Sequence, residues 1–213
     1  MKKTIYILGI ILLAIALPFM QIIKETLTAE SHPVGELSKT KTQSEVCEGD
    51  VIFQTSKSQQ SPLIQIATRS KITHCGIIVI RGGKPYVLET QKTLVLTPLN
   101  KFIARGEDGK YWIKRSKKKN IKIKYSKYLG KPYDLAFKFD NGRFYCSELV
   151  YDIYKKQLGI ELAEPKKVKD YLILFTDRLP KIKRAMKRRG ISKEQLAIAP
   201  VDIFNSKYLE AVD

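Results

Sequence analysis

From Asp50 to Lys114 the chain alternates short β-branched or aromatic runs with Gly, Pro and polar breaks. Only later, at Cys146–Leu158, does it offer a long helical pattern. That order, strands first and the main helix afterwards, restricts the fold more than any other feature. Val51-Ile52-Phe53 after Gly49-Asp50 reads as a short strand. His74 to Ile80 is a β-branched run halted at Gly82-Gly83. Tyr86–Thr90 and Thr93–Leu96 continue it as a meander, and Lys110–Lys114 alternates in the same way. Pro62 to Arg69 fits an amphipathic helix with Pro in its first turn, and Pro98 to Arg105 a short one. In Cys146–Leu158 the apolar residues Leu149, Val150, Ile153, Tyr154 and Leu158 follow the helical period, and Gly159 stops it. The expected class is α+β with an antiparallel sheet, not a doubly wound parallel one.

The ends of the chain divide it further. Lys2 and Lys3 precede an uncharged, Ile/Leu/Ala-rich stretch from Thr4 to Ile23. A cleaved secretory signal and an uncleaved anchor both fit residues 1–29. The length, near the roughly 20 residues that span a bilayer, favours the anchor. Residues 30–45 are polar without apolar periodicity and read as a linker. Residues 46–213 then form one domain, expected to be exported, either membrane-anchored or secreted/periplasmic.

Charge and cysteine usage narrow the function. The chain of 213 residues carries 39 Lys+Arg against 21 Asp+Glu, a net of +18. Residues 1–29 hold Lys2, Lys3, Lys24 and Glu25, so most of the excess belongs to the remainder. On an exported domain this charge argues for an anionic lipid or wall-polymer surface and against nucleic acid. It concentrates at 116–127 (SKKKNIKIKYSK) and 181–189 (KIKRAMKRR). Either cluster taken singly reads first as a solvated face. Three cysteines do not make a disulfide scaffold.

Cys146 carries the chemistry. A thiol at a helix N-terminus meets the positive end of the dipole and the N–H groups of the first turn, which favour thiolate and a developing oxyanion. A nucleophilic Cys needs a base and a group to orient that base. Only two histidines exist; His32 lies in the linker, so His74 is the base. Glu89, on the following strand, is the expected orienter, because adjacent strands about 4.8 Å apart let a carboxylate reach an imidazole. Cys75 points opposite to His74 and is expected in the core. A Cys47–Cys75 disulfide and a zinc site from Cys47, His74 or Cys75, and Cys146 remain alternatives, the latter without any Cys-x-x-Cys pair to support it.

Four segments, in order, carry a family resemblance: Gly49-Asp50-Val51-Ile52-Phe53; Ser70 to Ile77 (SKITHCGI); Gly130-Lys131-Pro132-Tyr133-Asp134; and Phe144 to Tyr151 (FYCSELVY). With Ala199 to Ser206 (APVDIFNS), they resemble the YiiX/YebB-like branch of the NlpC/P60 cysteine hydrolases over roughly residues 46–213. The resemblance implies a circularly permuted papain-like fold with the His strand before the Cys helix, the order found here. It implies Cys146 as nucleophile, His74 as base and Glu89 as orienting residue. Tyr133 resembles an aromatic near the nucleophile that polarises the scissile carbonyl; packing in the turn after Pro132 explains it equally well. Asp50 resembles a strand-entry acid with a structural role.

The expected activity is hydrolysis of an amide, or an ester, in a cell-wall peptide, acyl amide or lipid-like substrate through an acyl-enzyme, with no metal or organic cofactor. Two rivals remain. One is a non-catalytic envelope-binding module of the same fold; the other is a basic surface protein whose Cys146 is an inert core thiol.

Overall fold

The computed structural model describes residues 46–172 and 180–212. The anchor or signal at 1–29 and the linker at 30–45 lie outside the described residues. Among the described residues no helix is long and apolar enough to cross a membrane.

Six strands form one antiparallel sheet: β1 (Val51–Gln54), β2 (His74–Arg81), β3 (Lys84–Thr90), β4 (Leu94–Pro98), β5 (Trp112–Ser116) and, from the far end of the chain, a strand at Leu209–Ala211. The spatial order runs β4, β3, β2, β1, β5 and then that last strand. The expected α+β class with an antiparallel sheet is therefore what forms. The meander at His74–Leu96 folds as read, with Gly82 and Gly83 at positive φ closing the tight turn between β2 and β3. The strand expected at Lys110–Lys114 lies two residues later, at β5.

Alternation along the strands separates two apolar layers. Val51, Phe53, Cys75, Ile77, Val79 and Leu88 face one side. Ile52, Ile78 and Val87 face the other. Helix α1 (Ser61–Thr68) lies between β1 and β2 in sequence, and α2 (Leu99–Ala104) follows β4. Leu99 and Phe102 of α2 cover the second layer. Helix α3 (Cys146–Ile153) packs Leu149, Val150 and Ile153 on the first layer and winds on through a wider turn at Tyr154–Leu158. The periodic segment read from sequence is therefore one continuous helical run, ended by Gly159 at φ 71°.

The C-terminal third adds a two-stranded ribbon, β6 (Lys166–Lys167) with β7 (Leu196–Ala197), and short helices α4 (Val168–Tyr171), α5 (Pro180–Arg189) and α6 (Pro200–Phe204). The Leu209–Ala211 strand, β8, closes the sheet edge against β5. Asp50 is buried and takes two hydrogen bonds from Arg115, at 2.7 and 2.8 Å. A structural role for it, as expected, follows from that clamp on the entry to β1.

Gly76 sits in the middle of β2 because its neighbours have taken the space. A Cβ there would lie 2.5 Å from Val87 Cγ1 and 2.8 Å from the backbone carbonyl of Leu88. It would also press on Glu89 Cβ, at 3.3 Å. Overpacking of this kind costs about 1–3 kcal/mol. Gly76→Ala is expected to lower unfolding stability by about that amount in urea melts, and to lower the reactivity of Cys146 with iodoacetamide at the same time.

Candidate active site

Cys146 is the first residue of α3 and is 4% exposed. The sequence forces the helix to start there. Glu148, three residues past Tyr145, turns back and accepts from the Tyr145 N–H at 3.4 Å and from the Asp140 N–H at 3.2 Å. Tyr145 accepts the Ile198 N–H on its hydroxyl, and Ser147 donates to the Ile198 carbonyl at 2.7 Å. The helix start is thus pinned to the 197–200 segment. Burial lifts the Glu148 carboxyl to about 8, so near neutrality it is largely uncharged. The positive end of the helix is left for the neighbouring sulfur.

His74 opens β2 and is 14% exposed on its side chain. Its Nε2 lies 2.8 Å from Glu89 Oε2, which leaves Nδ1 as the nitrogen for Cys146. The ring stacks on Phe102, with centroids 5.6 Å apart and planes 23° from parallel. One stacked face and one carboxylate therefore fix the imidazole.

Glu89 has no exposed side-chain surface. Its second oxygen accepts from the Thr97 hydroxyl at 2.5 Å, from Gln91 Nε2 at 3.2 Å and from the Arg105 guanidinium. Burial alone would raise this carboxyl. The hydrogen bond and charge of His74, the Thr97 hydroxyl and Arg105 together hold it below the ordinary range.

His74 and Cys146 lie close enough that each shifts the ionisation of the other. Burial works against the imidazolium. The bonds to Cys146 and Glu89, with their negative charge, outweigh it and raise His74 to about 10. Cys146 is pushed well below an ordinary thiol, first by a hydrogen bond from the Cys75 thiol and then by His74, against the opposing effect of burial. Burial, with the adjacent Cys146 charge, pushes Cys75 upward. Cys75 is thus the neutral donor, Cys146 the thiolate and His74 the imidazolium. Such a pair is the starting state for nucleophilic acyl transfer.

Tyr133 bridges in parallel to Phe144, two residues before Cys146. Burial and the Cys146 charge raise its phenol, so it stays an O–H donor. The amide of Gln60, just before α1, also reaches Tyr133, and Gln60 Oε1 accepts from Arg189 Nη1 at 3.2 Å.

Two cavities meet at Cys146. One, about 150 Å³, is apolar and lined by Leu63, Ile64, Ile182, Met186, Ile191 and Ile198, among others. The other, about 530 Å³, is polar and includes Ser56, Lys57, His74, Gln91, Arg105 and Tyr133.

All four residues singled out from sequence, Cys146, His74, Glu89 and Tyr133, come together here. Cys75 is buried, as expected of its strand face, but that face is also the one that meets Cys146. Its coupling to Cys146 was not read from the sequence, which placed it away from the cleft. Arg105, Thr97 and Gln91 carried no sequence signal, because their meeting with Glu89 depends on how α2 and β4 fold back. The three cysteines are free thiols, so Cys47 and Cys75 are not bridged. Among the described residues no group of three or more His, Cys, Asp or Glu side chains is placed to hold a metal ion.

Comparison with known proteins follows the same lines. Residues 45–213 match the family described as permuted papain-like amidase enzyme, YaeF/YiiX, C92 family. The uncharacterized protein YiiX of Escherichia coli strain K12 is 37% identical over 174 residues, which cover 77% of this chain and 84% of that protein. A crystal structure described as metalloprotein YiiX from Escherichia coli O157:H7 superposes with a TM-score of 0.71 at 36% identity. It covers 79% of this chain and 97% of that one.

Two outcomes are expected from this geometry. Limiting iodoacetamide at pH near 6 should alkylate Cys146 ahead of Cys47 and Cys75, read by peptide mapping. His74→Ala should slow that labelling at least about tenfold, since each lost pKa unit of depression is a tenfold loss of thiolate. The second outcome concerns pH. The folded His74 value lies above the ordinary one, so its charge stabilises the fold fully below pH about 6.5 and that contribution fades as pH rises through about 10. Chemical denaturation of wild type and His74→Gln across pH 6–11 should converge above pH about 10 and diverge below it.

Proposed function

The chain belongs to the permuted papain-like amidase family and is a cysteine peptidase/amidase-type hydrolase, and from that premise we propose a Cys146–His74–Glu89 mechanism acting on a lipid-like acyl amide or ester. The carrying observation is the apolar cavity that opens at Cys146 itself. An apolar space on the order of this size admits a hydrocarbon group about as large as benzene. A wall peptide, whose backbone needs hydrogen-bond partners, gains little from such a lining.

The Cys146 thiolate attacks the acyl carbon. The hydroxyl of Tyr133 and the N–H groups of the first turn of α3 receive the developing oxyanion. His74 gives its proton to the departing amine or alcohol, and Glu89 holds the imidazolium in place. Water, deprotonated by His74, then releases the acyl group. Cys75 supplies a hydrogen bond that keeps Cys146 ionised between turnovers. The E. coli neighbour is described as a metalloprotein. Among the described residues no three His, Cys, Asp or Glu side chains gather as a metal-ligand group.

Residues 1–29 act as an anchor or signal, 30–45 as linker and 46–213 as the catalytic domain of an exported protein. An anionic membrane or wall polymer is its surface partner. The exposed basic side of α5, Lys183, Arg184, Lys187 and Arg188, supports this. The opposite side of the same helix, Ile182, Ala185 and Met186, lines the apolar cavity. The 116–127 cluster supports it less. Lys117 pairs with Glu210, Lys118 donates to the Leu158 carbonyl and Lys122 approaches Glu48, the engagement of a solvated face.

Turnover of a medium-chain acyl amide, followed by free fatty acid release, should vanish in Cys146→Ala. Tyr133→Phe should reduce kcat by about a hundredfold with little change in KM, the usual loss for one oxyanion donor. Hydrolysis of peptidoglycan peptides but not of acyl amides would overturn the lipid-like assignment.

A further inference from the structure

The two cavities at Cys146 are not equivalent, and His74 is what distinguishes them. Cys146 borders both. His74 borders only the polar one, together with Glu89, Arg105, Lys57 and Tyr133. In the reaction proposed above, the proton held by His74 goes to the leaving atom. The leaving half of the substrate must therefore lie where His74 is, in the polar arm. The acyl half then has the apolar arm to itself. Substrate direction follows from the position of one imidazole.

The polar arm has a definite charge. Glu89 is the only carboxylate that borders it among the described residues, and that carboxylate is fully buried and engaged by His74 and Arg105. Arg105 contributes Nη2 to Glu89 while its side chain stays 42% exposed, so its other donors remain accessible. Lys57 is exposed and makes no ion pair among the described residues. With the thiolate and imidazolium cancelling, and Glu89 and Arg105 cancelling, one cation and an accessible guanidinium edge remain.

A second observation is independent of charge. Two buried side-chain oxygens, Gln54 Oε1 and Thr90 Oγ1, have no hydrogen-bond partner among the described residues. Both residues border this same arm, and Thr90 is 3% exposed. Buried polar atoms are nearly always paired; Gln54 Oε1 lies against Gly106 and can only accept, whereas the Thr90 hydroxyl can donate to an anionic occupant of this arm.

We propose that the polar arm is a subsite for an anionic leaving group, an amine or alcohol bearing a carboxylate or a phosphate, held by Lys57 and the free donors of Arg105. The proposal rests on Cys146 and His74 being the nucleophile and acid. The bond balance is simple. The thiolate adds to the acyl carbon, the C–N or C–O bond breaks, and the leaving nitrogen or oxygen takes the His74 proton. Water then adds to the thioester carbon, His74 receives the proton, and the fatty acid departs with regeneration of the thiolate. The anionic product leaves through the polar arm without crossing the acyl pocket.

Four amides with one octanoyl chain test this on the full chain. N-octanoylglycine and N-octanoyl phosphoethanolamine carry the carboxylate and the phosphate. N-octanoylglycinamide is neutral, and N-octanoyl ethylenediamine is cationic. At least one anionic substrate should exceed the neutral one in kcat/KM by about tenfold, through KM, and the cationic one should be slowest. Which anion leads identifies the source. Lys57→Gln should bring the anionic-to-neutral ratio down severalfold, and raised salt should do the same in wild type. Equal kcat/KM for anionic and neutral substrates, a faster cationic one, or a ratio unmoved in Lys57→Gln overturns the proposal. Hydrolysis of none of the four, by protein whose Cys146 still reacts with iodoacetamide, overturns instead the acyl-hydrolase reading beneath it.

Discussion

A carboxylate with no solvent access is the constraint around which this site is built. Removing an ion from water costs several kcal/mol unless partners replace the water. Glu89 has four: His74, Thr97, Gln91 and Arg105, drawn from β2, β4, the turn after β3 and the residue capping α2. Much of the local architecture serves that requirement. Gly76 leaves room on the strand beside Glu89. The β3–β4 hairpin brings Thr97 across from Val87. The α2 helix ends where Arg105 can turn inward. His74 is then the one partner that can pass a charge onward, and it faces the sulfur.

The rest of the site follows from carrying that charge pattern across the sheet. Glu89 favours the imidazolium and the imidazolium favours the thiolate. A neutral thiol on the adjacent residue of β2 adds a hydrogen bond. The helix dipole acts in the same direction, and the buried Glu148 near the helix start is kept from opposing it. Two cavities of contrasting polarity open from the resulting centre.

The strands and the long helix were legible because each is encoded by a run long enough to show its period. Tyr133 was offered only by the family resemblance; Cys146, His74 and Glu89 were legible for a different reason. Two histidines and three cysteines leave few combinations, and strand alternation decides which of Glu89 and its neighbours share a face with His74. What stayed hidden depends on tertiary placement. The edge strand β8 is three residues long and lies almost a hundred residues from its partner β5 in sequence, so no local pattern announces the pairing. Helix α5 looked like a charge cluster, because six basic residues mask the spacing of Ile182, Ala185 and Met186. Arg105 reads as one more surface cation until α2 is folded against the sheet.

The arrangement at Cys146 has a consequence for the life of the polypeptide. The depression of its pKa comes first from Cys75 and His74, both on β2, some seventy residues away in the chain. Before α3 docks on the sheet, Cys146 is an ordinary thiol, mostly protonated at neutral pH. Activation of this thiol is thus coupled to folding of the domain. Nucleophilicity is acquired at the moment of folding and given up on unfolding, so a nascent or damaged chain is chemically quiet.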